Sequence, residues 1–361
     1  MKSYNSFITY IIATTIVMEL QDKTWHKPFH SIYSLFSNQG KICARNIALV
    51  ALSLLQSQTA NTYAIARSLS SLTDKNFNSC EKRVNRFLDS QYFQIDDNLF
   101  RCHKNFIFSA LDEMNLISLD KPIFINIDFT TKQDKFLILS ASIPFMNRGL
   151  PLFFSMRAYP KKAGILDQKK MELAFIKGLK HLLPKNYKYV IVADRGFCTQ
   201  RFLRLCIENH FDFIIRTITN LNINFQGKKT NLKQVKKDKL DIHQAYIPSW
   251  QMNLRLITNQ ENDKIWKLFT SLKMEHKLIV SQYRHRFNIE KMFQDQKSSL
   301  FDIESTQIKK YSKFKKLYYI VTLAQSIMML MGYFMEKKMP QIKKKYPLQS
   351  GIIYPLSNKF E

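Results

Sequence analysis

The sequence predicts an α/β fold in which a mixed β-sheet is flanked by helices. Residues 1 to about 100 follow a helical pattern, three apolar strands occur in succession from Lys121, and strand and helix then alternate as far as Arg216. Alternating strands and helices favour a sheet covered by helices. At 361 residues the chain is long enough for one large domain with one or two smaller units.

Residues 1–100 are predicted to form a helical, helix-turn-helix-like DNA-binding region. Helical apolar spacing covers residues 42–57, 62–72 and 75–88. The third of these segments carries Lys75, Lys82, Arg83 and Arg86 on one side and apolar residues on another. This pattern is typical of a recognition helix that enters the major groove of DNA. A small helical bundle with a basic surface is the alternative.

Residues 121–216 are predicted to form the first part of a ribonuclease-H-like domain. A strand over 123–127 ends at Asp128, and the strands 136–143 and 150–158 continue an antiparallel meander. A helix over 168–182 leads to the buried strand 189–193, which stops on Asp194. A helix over 199–209 and a strand over 211–216 follow. Three strands followed by helix, strand, helix and strand is the order of a ribonuclease-H-like fold.

The rest of the chain is predicted to divide into three parts. Residues 217–276 form a β-rich insertion, in which Trp250 and Trp266 either stack on an unpaired base or pack the insertion onto the main sheet. Residues 277–338 hold a polar-striped helix and an apolar helix over 317–335, which we interpret as a core helix because Thr322 and Gln325 interrupt it. Residues 339–361 form a basic tail.

Charge and cysteine content favour a DNA-binding protein in a reducing compartment. The chain has 55 Lys and Arg against 28 Asp and Glu, a net charge of +27, which indicates a polyanionic partner such as nucleic acid. A general lysine-rich composition is the alternative. The five cysteines are scattered and form no C-x-x-C pair, which predicts reduced thiols and a cytoplasmic location. The apolar run 7–20 is too short to span a membrane, so no membrane partner is expected.

The segment 277–300 contains no Gly or Pro and is predicted to be one helix. At about 100° per residue, Tyr283, Arg286, Glu290 and Lys297 share one narrow face, whereas Asp295 faces away. A carboxylate among cations suits a metal-bound acid beside phosphate-binding groups. The alternative is a solvated amphipathic helix in which Arg286 and Glu290 form an ordinary i, i+4 pair.

The spacing of Tyr283, Arg286, Glu290 and Lys297 resembles the signature of DDE-class bacterial insertion-sequence transposases, in particular the IS-four family. The resemblance implies two aspartates upstream, each at the end of an apolar strand, and Asp128 and Asp194 meet this requirement. It also implies that Tyr283, Arg286 and Lys297 contact DNA phosphates. Because Arg195 and Arg216 lie beside the acids by strand position, we expect them to contact the DNA backbone too.

The resemblance further implies a two-metal mechanism. Asp128, Asp194 and Glu290 are expected to bind two Mg²⁺ or Mn²⁺ ions, with Asp128 bridging them, because carboxylate oxygens select hard divalent cations. The expected activity is cleavage at the ends of an insertion sequence and strand transfer into target DNA. Expected partners are double-stranded DNA, as terminal inverted repeats and target, and a second copy of the chain in a paired-end complex, in the nucleoid of a bacterial cytoplasm. Two alternatives remain: a catalytically inactive DNA-binding regulator derived from a transposase, and an unrelated metal-dependent nuclease of the same fold.

Overall fold

A computed structural model describes residues 26–159, 165–218, 220–235, 239–261 and 264–338. These residues form a mixed ten-stranded sheet flanked by helices, which confirms the predicted fold class at this level. The strand order in the sheet is β3-β2-β1-β4-β5-β10-β9-β8-β6-β7. The expectations for the apolar run 7–20 and for the basic tail 339–361 fall outside the described residues.

Five helices precede the first described strand: α1 (His26–Leu35), α2 (Lys41–Ser57), α3 (Thr62–Thr73), α4 (Phe77–Asp89) and α5 (Asp97–Glu113). The predicted helices 42–57, 62–72 and 75–88 correspond to α2, α3 and α4. Asn61, Asn76 and Asp96 each accept backbone N–H bonds at the start of a helix, which satisfies donors that have no partner within the helix. Helix α5 was missed, although Asp96 is a good N-cap signal.

The three-strand meander is present as β1 (Ile123–Lys132), β2 (Phe136–Phe145) and β3 (Arg148–Ala158), paired antiparallel. The prediction that the first strand ends at Asp128 was wrong. Strand β1 continues for four more residues because Phe129 to Lys132 pair with Leu139 to Phe136 of β2. Asp128 therefore lies within a strand, just beyond the part of β1 that pairs with β4.

Helix α6 (Ile165–Leu182), strand β4 (Tyr189–Ala193), helix α7 (Gln200–Glu208) and strand β5 (Asp212–Arg216) follow. Strand β4 pairs parallel with β1 and with β5. Alternate residues of a strand face opposite sides of the sheet. Ile191 and Ala193 join the main core, which also contains α6 and α7, whereas Val190 and Val192 face a second cluster.

Residues 217–276 are rich in strands, as predicted, and contain β6 (Asn222–Phe225), β7 (Lys228–Asn231), β8 (Lys239–Ile247), β9 (Met252–Glu261) and β10 (Lys264–Thr270). Strand β10 pairs antiparallel with β5, so this segment extends the main sheet. Trp266 is buried against the rings of Tyr283 and Phe287, which favours the packing alternative for this tryptophan.

The segment 277–300 is helical, as predicted, but its winding is irregular. It contains α8 (His276–Arg284), a 3₁₀ turn (His285–Phe287), α9 (Asn288–Gln294) and a π-helical turn (Asp295–Ser299), and the residues at the junctions keep right-handed helical backbone angles. Contacts from distant strands coincide with the 3₁₀ and π-helical turns. The Asn126 side chain donates to the His285 carbonyl (2.7 Å), and Arg148 forms an ion pair with Asp295 (2.6 Å).

Helix α10 (Tyr311–Lys338) contains the predicted core helix and begins six residues before the predicted start at 317. By length and apolarity it is the one candidate membrane span among the described residues, yet 78% of its apolar window is buried inside the protein. Its polar residues are paired internally: Gln325 accepts a bond from Gln296 (2.8 Å), and Ser326 contacts His103 (3.0 Å). These contacts fit a core helix of a folded domain.

Candidate active site

Asp128 and Asp194 lie at the same level on neighbouring parallel strands. Ile123 pairs with Tyr189, an offset of 66 residues (189 − 123), and Asp194 follows Asp128 by the same offset (194 − 128). Residues two apart in a strand face the same side of the sheet. Asp128 therefore faces the same side as Asn126, and Asp194 the same side as Val192, which is the side covered by α8. The register of the sheet therefore brings the two predicted aspartates together.

Arg216 belongs to the same row. Val190 pairs with Asp212, an offset of 22 residues (212 − 190), and Arg216 follows Asp194 by 22 residues (216 − 194). Arg216 is half-buried at the end of β5 and pairs through its backbone with Leu268 of β10. One edge of the parallel strands thus presents two acids followed by one cation.

Asp194 also shapes its own turn. Its Oδ1 accepts the Gly196 N–H (2.8 Å) and caps the 3₁₀ turn Arg195–Phe197. A Cβ at position 196 would lie 3.1 Å from this oxygen, so glycine lets the turn close tightly over the carboxylate. Arg195 is exposed at the start of the turn.

Glu290 reaches the site from α9 and is held there by Arg286. The Arg286 Nη2 atom is 2.6 Å from Glu290 Oε1, and the Nη1 atom is 3.5 Å from Asp128 Oδ2. The Arg286 side chain is 8% exposed, whereas that of Glu290 is 53% exposed. The guanidinium also lies over the Phe287 ring, 4.3 Å from its centre. One buried cation therefore joins an acid of β1 to an acid of α9.

The acids interact strongly enough to change the protonation of Asp128. Burial, and then the negative charge of Asp194, raises the pKa of Asp128 to about 6. The Phe129 N–H and Arg286 oppose this rise, and Glu290 adds to it. The negative charges of Asp194 and Glu290 disfavour ionisation of Asp128 because the fold holds the three acids near one another. Raised carboxylate pKa values of this kind are common at cation-binding acid sites.

Among the described residues, no group of three His, Cys, Asp or Glu side chains stands close enough together to hold a metal ion. At the predicted trio, the Arg286 guanidinium contacts both Asp128 and Glu290. Asp128 and Asp194 therefore share a level of the sheet, and Glu290 is linked to Asp128 through a positive charge.

Two residues of the four-residue signature are not placed as the resemblance implies. Tyr283 is 1% exposed and packs edge-on against Trp266, with ring centres 5.0 Å apart, so its hydroxyl cannot contact a phosphate in this arrangement. Burial raises its pKa to about 12, with Arg286 and Arg216 acting in the opposite direction. Arg286 is likewise buried and engaged with acids.

The fourth signature residue, Lys297, lies in the π-helical turn, where its Nζ atom is 3.9 Å from Glu304. Its side chain is partly exposed.

Two contacts at the site were missed in the sequence. Asn126, the single polar residue within the strand Ile123–Ile127, is fully buried and ties β1 to His285. Asp295 forms a buried ion pair with Arg148. The contact between Asn126 and His285 could have been suspected, because an isolated amide interrupts an apolar strand. No local sequence pattern marks the contact between Asp295 and Arg148.

Residues 165–327 match the family model described as "Transposase DDE domain". The matched segment contains Asp194 and Glu290 but not Asp128. No curated protein matches the sequence. Among solved structures, the chain is similar to a cryo-EM structure titled "piggyBac transposase synaptic complex with hairpin DNA", with 12% identity, a TM-score of 0.45 and coverage of 82% of this chain. The match spans 66% of that protein's chain, slightly less than two thirds. The family match thus covers slightly less than half of the chain and shows similarity of residues 165–327 to a transposase DDE domain.

Proposed function

We propose that the protein is a DNA transposase of the IS-four type that cleaves the ends of an insertion sequence and transfers them into target DNA. The proposal is carried by one observation: Asp128 and Asp194 share a level on adjacent strands, and Glu290 is held beside Asp128 through Arg286. We also propose a ribonuclease-H-like domain, supported by the order β3-β2-β1-β4-β5, with β1, β2 and β3 antiparallel and β1, β4 and β5 parallel.

The residues fit hard divalent cations. Carboxylate oxygens prefer Mg²⁺ or Mn²⁺, and the negative charge of Asp194 adds to burial in raising the pKa of Asp128. Asp128 and Asp194 would hold ions from the rigid sheet. Glu290, with its half-exposed side chain, would join them on leaving Arg286. Bound ions would supply charge stabilisation at a phosphodiester and lower the pKa of an attacking hydroxyl.

The protein's own residues supply position and electrostatic support. Strands β1 and β4 fix Asp128 and Asp194, because their backbones are paired within a buried sheet. Arg286, once released from Glu290, remains a cation at the site, because an arginine guanidinium is not deprotonated in proteins. A buried guanidinium of this kind stabilises the charge that develops on a phosphate in the transition state.

DNA contact is assigned to cations that the fold leaves accessible. Arg195 is exposed next to Asp194, Arg216 extends the same row, and Lys297 is partly exposed one helical segment after Glu290. The net charge of +27 supports binding of double-stranded DNA at terminal inverted repeats and target. Lys82 and Arg86 of α4 are exposed, whereas Arg83 bonds Asn46 (2.9 Å). We assign end recognition to this helix, with paired ends joined in a homodimer in the bacterial cytoplasm.

The test is cleavage of DNA that carries the sequences flanking the gene. Purified wild-type protein should nick this DNA in Mg²⁺ or Mn²⁺ and transfer the cut strand. Glu290→Gln should bind the same ends with unchanged affinity and produce no nicks, because it retains shape but loses a metal-binding charge. Asp120→Asn, at an exposed loop position, is the matched control and should cleave normally.

Three results would contradict the proposal. Equal nicking by wild type and Glu290→Gln would remove Glu290 from the site. Specific end binding by wild type without any nicking would favour the inactive regulator. Cleavage that ignores the end sequences and transfers no strand would favour an unrelated nuclease.

A further inference from the structure

The 3₁₀ turn before Glu290 is held by a contact from β1. The chain leaves α8 at Arg284, makes the 3₁₀ turn His285–Phe287 and enters α9 at Asn288. At this turn the His285 carbonyl accepts a hydrogen bond from the Asn126 side chain (2.7 Å), across 159 residues of sequence. Arg286 is the residue directly after this carbonyl, and Glu290 lies four residues further along the chain.

The anchor and the catalytic aspartate belong to one short piece of strand. Asn126 and Asp128 are two residues apart, so they point to the same face of β1 with a spacing of about 7 Å. The same strand thereby holds one acid directly and locates the turn that carries Arg286. Any change in the distance between Asn126 and His285 alters the distance between Asp128 and the guanidinium that contacts it.

A second close approach restricts the turn from the side of β3. A Cβ on Gly149 would lie 3.2 Å from the Asn288 carbonyl oxygen and 2.6 Å from Ser142 Oγ. The start of α9 is thus pressed against the first residues of β3, while the preceding residues are tied to β1. The two contacts fix the turn on both sides, and Glu290 extends from the fixed segment.

Asn126 is not optimised for stability. It is fully buried, and its Oδ1 atom has no hydrogen-bond partner among the described residues. A buried polar atom without a partner costs free energy that an apolar side chain of similar size avoids. An asparagine in this place is therefore explained better by what its Nδ2 atom holds than by packing.

We propose that Asn126 is a positioning residue for the acid site: its amide sets the distance between the turn carrying Arg286 and Glu290 and the strand carrying Asp128. This inference rests on the proposed transposase function for its kinetic consequence, whereas its structural consequence does not depend on catalysis.

The test uses Asn126→Leu, which keeps the volume and removes the donor, and Asn126→Ala, which removes the donor without adding bulk. The control is Asn224→Leu in β6, because Asn224 also has a buried Oδ1 atom without a hydrogen-bond partner. Single-turnover cleavage at saturating DNA should fall roughly 10- to 100-fold in the Asn126 variants, the loss expected for a misplacement of about 1 Å. The concentration of Mn²⁺ for half-maximal rate should rise, with DNA affinity unchanged.

Hydrogen exchange of the peptide covering residues 283–293 supplies a readout that needs no activity. In the full-length protein without DNA, the Asn126 variants should exchange these amides faster, and Asn224→Leu should not. Wild-type cleavage rates in the Asn126 variants, or unchanged exchange at 283–293, would overturn the inference. A loss of rate that appears only at temperatures where the variants are partly unfolded would also overturn it, because that pattern indicates a general structural role. Failure of the wild-type protein to cleave would refute the proposed function and leave the exchange result to decide the inference.

Discussion

Replacing Asp128 with asparagine should stabilise the metal-free protein at neutral pH. Burial, followed by the charge of Asp194, raises the pKa of Asp128 to about 6 from the 3.8 of an exposed aspartate. This value already includes the favourable influence of Arg286 and of the Phe129 N–H. Asparagine has nearly the same shape and its oxygen can still accept the Phe129 N–H (2.8 Å in the wild type), so the substitution chiefly removes a charge.

The magnitude follows from the two pKa values. Holding Asp128 ionised in the folded state costs up to about 3 kcal/mol, at about 1.4 kcal/mol for each tenfold change in proton affinity. The folded chain binds this proton more tightly than the unfolded chain, so the free energy of unfolding decreases as pH rises from 3.8 to about 6. The cost is absent below this window and complete above it. Asp128→Asn should therefore match the wild type near the low end and exceed it at neutral pH.

Denaturant unfolding of both proteins between pH 4 and 8, with EDTA present, measures this difference, and Asp120→Asn serves as the exposed control. Addition of Mn²⁺ should reverse the order, because ions that bind the folded wild type stabilise it by mass action. A variant that is no more stable than wild type at neutral pH, or a difference that does not vary with pH, would refute the electrostatic reasoning.

Three further predictions concern the elements around the site. Asp295→Ala removes one partner of the buried pair with Arg148 and should lower the free energy of unfolding by about 3–5 kcal/mol. Glu261→Ala, in a more exposed pair, should lower it by at most about 1 kcal/mol. Equal losses in denaturant titrations would contradict this ranking. Lys297→Ala should reduce by about one the slope of log binding constant against log salt for DNA, and an unchanged slope would count against phosphate contact. Gly149→Ala introduces a Cβ 2.6 Å from the side chain of Ser142 and should cost about 1–3 kcal/mol; an unchanged unfolding midpoint would show that the start of β3 or the Ser142 side chain moves aside.

Local patterns in the sequence were sufficient to predict the elements that their own residues determine. The strand 189–193 is buried throughout and was predicted with the bounds of β4. Helices α2, α3 and α4 were also predicted, because apolar spacing marks them. The extension of β1 beyond Asp128 was missed, since Phe129 to Lys132 are stabilised by pairing with β2.

The candidate site shows the same limit. The convergence of Asp128 and Asp194 was predictable, because both follow apolar strand residues and parallel neighbours share an edge. The position of Arg286 was not, because it depends on the 3₁₀ and π-helical turns in 277–300. At these turns Asn126 contacts His285 and Arg148 contacts Asp295. An ideal helix places Tyr283 on the polar stripe, whereas the observed packing against Trp266 buries it.

The central claim is that Asp128, Asp194 and Glu290 bind divalent ions together. Crystals of the full chain grown with Mn²⁺, examined by anomalous diffraction at the manganese edge, test this claim most directly. The account predicts anomalous peaks at about 2.2 Å from oxygens of all three carboxylates, with the Arg286–Glu290 ion pair opened. Absence of peaks at these side chains, with Arg286 still bonded to Glu290, would contradict it.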